Sequence, residues 1–124
     1  MTGGQTIGGN GIAASAEIYD PQNGRWSPAM GVPRFGHRAD LLANGRVLVV
    51  GGLNYRQFSN TTRAERAELY DPASGGWSPT APLPFASTPA ALAVLIGRRV
   101  LAISNPDANA DHRATATIYD PVAD

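Results

Sequence analysis

Residues able to do chemistry are few in this chain, and they fall in two stretches. "LNYRQFSNTTR" (residues 53–63) gathers Tyr55, Arg56, Phe58, Asn60 and Arg63. Aromatic side chains beside arginine are typical of recognition surfaces, where a flat ring and a forked cation grip a polar partner; the alternative is that Tyr55 or Phe58 folds back to anchor a long loop while the arginines are solvated. "DANAD" (107–111) places Asp107, Asn109 and Asp111 at alternate positions, the opening of an oxygen-rich calcium loop. The match then fails. His112 stands where the tight-turn glycine belongs, and Ile118 where a bidentate carboxylate would close the site. These departures favour a solvated Asx-rich turn over calcium, so no cofactor is expected, with calcium as the alternative.

Other chemistry is excluded by what the chain lacks. There is no cysteine, so no disulfide and no thiol chemistry. His37 and His112 are the only histidines, and two histidines without cysteine make no zinc site on their own. No Ser-His-Asp pattern, phosphate-cradling glycine loop or acid–base carboxylate pair is visible. Asn60-Thr61-Thr62 fits a glycosylation acceptor, which matters only in a secretory pathway. Ten arginines balance ten acidic residues, so nothing draws the chain to nucleic acid or an anionic membrane. The apolar run "ALAVLIG" (91–97) is far too short to span a bilayer. No signal peptide is visible, and the compartment stays open.

The elements that carry these stretches repeat. "AEIYDPQNGRWSP" (16–28) returns as "AELYDPASGGWSP" (67–79), and the chain closes on "ATIYDPVAD". Tyr19, Tyr70 and Tyr119 are 51 and 49 residues apart, and Trp26 and Trp77 each follow their tyrosine by seven. "GRVLVVGG" (45–52) returns as "RRVLAISN" (98–105). A period near fifty marks a repeat architecture.

One period reads as four short strands at 37–43, 46–51, 66–71 and 76–78. Asn44-Gly45 predicts a two-residue hairpin between the first two. Asp71-Pro72-Ala73-Ser74-Gly75 predicts a turn in which Asp accepts backbone N–H groups, Pro presets φ and Gly takes the left-handed position. Pro79 is expected to end the fourth strand. No window carries helical periodicity, so the fold class is all-β. The strand "RVLVV" is apolar on both faces and needs a sheet on each side, an arrangement that radial stacking into a propeller supplies.

These residues resemble Kelch repeats. The resemblance rests on Gly51-Gly52 ending the second strand, Tyr70 on the third and Trp77 on the fourth, and it covers essentially the whole chain. The wording is similar to Kelch blades of bacterial proteins and of galactose-oxidase-like propellers. It implies one complete blade (34–79) flanked by incomplete ones (1–28 and 85–121), all within a partial propeller spanning 1–124. Gly51, Gly52, Tyr19, Tyr70, Tyr119, Trp26 and Trp77 are then structural repeat residues. The third copy departs, with Ser104-Asn105 in place of Gly-Gly and Ala90 in place of His37. A whole ring needs roughly six or seven blades, so the remaining blades of a parent propeller are expected partners. Met1 aligns with the β-branched Val49, so the start is expected to be an internal or a mis-called one. Strand merging between short chains would duplicate a third strand, so that route to a ring is disfavoured, whereas exposed blade faces predict self-association of the isolated chain.

The expected function is a non-catalytic binding scaffold. The 1–2 and 3–4 turns are short and alike, and the 2–3 loops differ in length and content, so recognition of a protein or glycan is assigned to the 2–3 face. The alternatives are a fragment of a propeller enzyme whose site lies mostly elsewhere, and a purely structural module. The copper-radical oxidases of this fold use a cysteine–tyrosine crosslink, which this segment, lacking cysteine, does not carry.

Overall fold

The computed structural model describes residues 15–31, 33–56, 60–63, 66–82, 89–95, 99–104 and 114–121. These residues form eleven strands and, among them, no helix. The first sheet pairs β1 (Ser15–Asp20) with β2 (Arg25–Met30). The central sheet contains β3 (Arg38–Leu41), β4 (Val47–Val50), β7 (Arg66–Asp71) and β8 (Gly76–Pro82), in that order. Between β4 and β7 stands a separate hairpin of β5 (Leu53–Arg56) and β6 (Asn60–Arg63). The last sheet orders β9 (Pro89–Val94), β10 (Val100–Ser104) and β11 (Ala116–Tyr119) with β10 in the middle. All pairings are antiparallel.

The sequence repeat is also a repeat of register. Val47 pairs with Leu41 and Tyr70 in the central sheet, and Val100 pairs with Val94 and Tyr119 in the last. Tyr70 lies opposite Trp77, as Tyr19 lies opposite Trp26. A one-residue slip would turn every apolar side chain to the wrong face, so matching registers mean that matching faces are presented.

Those faces are packed in one direction. Leu48, Val50 and Leu69 of the central sheet join Val100 in one buried cluster, with Leu92 and Tyr119 against it. On the other side Tyr70 joins Ala16 and Ala29 of the first sheet, with Val47 and Trp77 beside them. The central strand β4 is thereby covered on both faces, as its unbroken apolar run requires. Leu48, Val49 and Val50 are all essentially out of water. The described sheets stack and do not close into a barrel or ring.

The Asp-Pro turns form as the sequence predicts. The Asp71 carboxylate accepts from the Ala73 N–H at 2.9 Å, its carbonyl accepts from Gly75 N–H at 2.8 Å, and Gly75 has φ of 68°. The first copy repeats this with Gln22, Gly24 and Asp20, and Asn23 adds a side-chain bond to Asp20 at 2.6 Å.

Three local expectations are corrected. The β3–β4 connection is a three-residue loop, Ala43-Asn44-Gly45, because Leu42 N–H bonds Arg46 carbonyl at 2.8 Å, and Gly45 takes the left-handed position. Pro79 does not end β8, which continues to Pro82. β8 is an outer strand and its register shifts between Arg66 and Glu68, and a missing N–H is tolerated at just such an edge irregularity. Residues 53–63 are not an open loop throughout. Leu53–Arg56 and Asn60–Arg63 pair with Tyr55 opposite Thr61 and Arg56 opposite Asn60. Tyr55, Thr61 and Thr62 are good strand formers, which favours this pairing.

Candidate functional site

The β5–β6 hairpin leaves the end of β4 opposite the two tight turns, and its base is held by a compact set of contacts. Gly51 and Gly52 both have positive φ, 63° and 94°, and together swing the chain out of the sheet. Phe35 and Leu53 then exchange both backbone hydrogen bonds, at 3.2 and 2.9 Å, tying the segment before β3 to the first residue of the hairpin. A Cβ on Gly52 would fall 2.9 Å from the Phe35 carbonyl oxygen and 3.2 Å from His37 Cβ. Only glycine fits this close approach.

Arg34 lies under this junction and is buried. One terminal nitrogen donates to the Gly51 carbonyl at 3.0 Å, and the other meets Glu68 Oε2 on β7 at 2.7 Å. Burial pushes the Arg34 pKa down, and the Glu68 carboxylate opposes that shift by charge and hydrogen bond. An arginine fork suits the task, since its fixed geometry satisfies two acceptors on different strands at once. His37 sits beside it. Burial lowers the His37 pKa, the Arg34 charge lowers it further, and a hydrogen bond to the Arg34 backbone opposes both. His37 is therefore neutral at pH 7, with Nδ1 buried and without a partner among the described residues.

Of the residues assigned from sequence to recognition, Tyr55, Arg56, Asn60 and Arg63 all lie on the two strands of this one hairpin. Phe58 falls outside the described residues, as do Asp107, Asn109 and Asp111. Among the described residues no group of three or more His, Asp or Glu side chains is placed to hold a metal ion. Nor is any helix among them long and apolar enough to cross a membrane.

Arg34 is the residue that sequence reasoning missed. Its signal is a paired replacement. When the strand "RVLAI" (99–103) is aligned with "RVLVV" (46–50), Ser87 stands at the Arg34 position, while Thr117 stands at the Glu68 position. Cation and anion are absent together from the third copy, as expected of partners whose separate burial is expensive.

A second feature lies between the first and central sheets. An apolar crevice of about 280 Å³ is lined by Ala16, Ile18, Ala29, Val49, Tyr70 and Trp77, among others. The Trp77 indole N–H is buried there without a partner among the described residues, and its ring lies against Gly31, where a Cβ would come within 3.1 Å.

No protein-family model and no curated protein matches this chain.

Proposed function

We propose that this chain is a non-catalytic binding scaffold, a segment of a larger Kelch-type propeller that recognises a protein or glycan on the face bearing the β5–β6 hairpin. The observation that carries the reading is the anchored hairpin itself. Tyr55, Arg56, Asn60 and Arg63 are concentrated on one short antiparallel pair, fixed at its base by the Phe35–Leu53 bridge and the buried Arg34–Glu68 pair. Rigid support beneath an aromatic and cationic element lowers the ordering cost of recognition. The repeated register and the one-way stacking of three sheets support the propeller part of the reading.

Glycan arrays and a displayed peptide library, probed with the 124-residue chain, test this proposal. Arg56→Ala with Arg63→Ala is expected to lower binding to any selected ligand at least tenfold. Arg25→Ala with Arg99→Ala, on the tight-turn side, is expected to leave it unchanged. Loss with the turn-side pair alone would reverse the face assignment. Binding indifferent to both pairs would remove the hairpin from the site.

A further inference from the structure

The two outer faces of the stack are a matched pair. The outer face of the first sheet presents Tyr19 and Trp26, in the same register and ring geometry as Tyr70 and Trp77 of the central sheet. Ring centroids are 5.0 Å apart in the first pair and 5.1 Å in the second. The difference is cover. Tyr70 is 8% exposed beneath Ala16 and Ala29, while Tyr19 is 49% and Trp26 57% exposed. The outer face of the last sheet presents Leu101, Ile103 and Ile118, in the register of Leu48, Val50 and Leu69. In the central sheet those three are buried by the next sheet's Val100 and Tyr119, whereas Ile118 is 53% exposed.

The described sheets therefore join a tyrosine-bearing face to an apolar face of the next sheet twice and, among the described residues, leave one of each kind open. We propose that the chain associates head to tail with a second copy of itself, Tyr19 and Trp26 of one molecule packing on Leu101, Ile103 and Ile118 of the next. The occupant is argued from continuity, since the missing contact is a third instance of an interface already made twice. Stacking intact faces duplicates no strand, unlike merging strands across the termini. Such a contact is heterologous, so it extends an assembly rather than closing a two-fold dimer. The inference concerns the 124-residue chain on its own, since in the larger propeller proposed above neighbouring blades would cover both faces, and it does not depend on any ligand.

Sedimentation across a micromolar concentration series tests it. The wild-type mass should rise with concentration above the 13.0 kDa of one chain. Trp26→Glu removes one face and Ile118→Glu the other, so each variant alone should stay monomeric. Mixed in equal amounts, they still share one intact face of each kind, and the mixture should stop at twice the monomer mass. Tyr19→Ser and Ala93→Arg provide a second pair on the same two faces, for use if either first variant loses its far-ultraviolet strand signature. A monomeric wild type, a single variant that still assembles, or a mixture that stays monomeric would each overturn the proposal. Non-specific apolar aggregation predicts no such rescue by mixing.

Discussion

The Arg34 guanidinium meets the Glu68 carboxylate at 2.7 Å, with only 4% and 11% of the two side chains accessible to water. The pair spans 34 positions of sequence and ties the segment before β3 to β7, directly beneath the outgoing hairpin. Breaking one partner strands the other charge in a poorly solvated site. Arg34→Met or Glu68→Gln should each lower unfolding free energy by about 3–5 kcal/mol. The double change Arg34→Met with Glu68→Met should lose clearly less than the sum, because no charge is left unpaired. Urea melts of the four proteins measure this, and strict additivity would show that the two groups act independently.

Trp77 and Trp26 provide a controlled comparison, since both lie opposite a tyrosine in the same register. Trp77 packs with Tyr70 between the first and central sheets and against Gly31, while Trp26 faces outward. Trp77→Ala should cost about 3 kcal/mol, the lower end for a large-to-small change because the ring is partly exposed. Trp26→Ala, measured at low concentration, should stay within roughly 0.5 kcal/mol of wild type. Equal losses would mean that the repeat, and not the packing, sets the effect.

His37 makes stability depend on pH in a definite direction. Its pKa is lowered from the ordinary 6.5, chiefly by burial and then by the Arg34 charge. Above that value it is neutral folded and unfolded, so it contributes no pH dependence. Below it the unfolded chain binds a proton that the folded chain resists, so stability falls until the pH drops below the folded pKa. The slope in that window can approach but not exceed about 1.4 kcal/mol per pH unit from one group. His37→Asn should remove this slope between neutrality and mild acid. Stability curves that superimpose for wild type and His37→Asn would refute the assignment.

Turns and strand faces were readable from the sequence because their causes are local. Asp20 and Asp71 cap their own turns within two to four residues, and β4 announces burial on both sides through a continuous apolar run. The hairpin at Leu53–Arg63 was hidden by composition, since Asn54, Arg56, Gln57 and Asn60 dilute the strand signal of Tyr55 and the threonines. The three-residue β3–β4 loop was hidden by one hydrogen bond, Leu42 to Arg46, which the Asn-Gly signal alone does not predict. Arg34 was invisible for another reason. Its partners are Gly51 and Glu68, so no local pattern contains them, and only the joint appearance of Ser87 and Thr117 in the third copy hints at the pair.

Gly52 and Gly24 separate two reasons for glycine. Both have positive φ, 94° and 69°, so a side chain is strained at either. A Cβ on Gly24 would meet nothing within 4 Å, and Gly24→Ala should cost about 1 kcal/mol of backbone strain alone. At Gly52 the same Cβ would come within 2.9 Å of the Phe35 carbonyl oxygen. That oxygen is not free to retreat, because it accepts the Leu53 N–H at 2.9 Å. Overlap therefore adds to strain, and Gly52→Ala should cost at least about 2 kcal/mol. The damage should also be local. Hydrogen exchange at the Leu53 and Phe35 amides should accelerate in Gly52→Ala and stay unchanged in Gly24→Ala. If the two variants lose equal stability and keep equal protection at Leu53, the bridge does not hold the base of the hairpin.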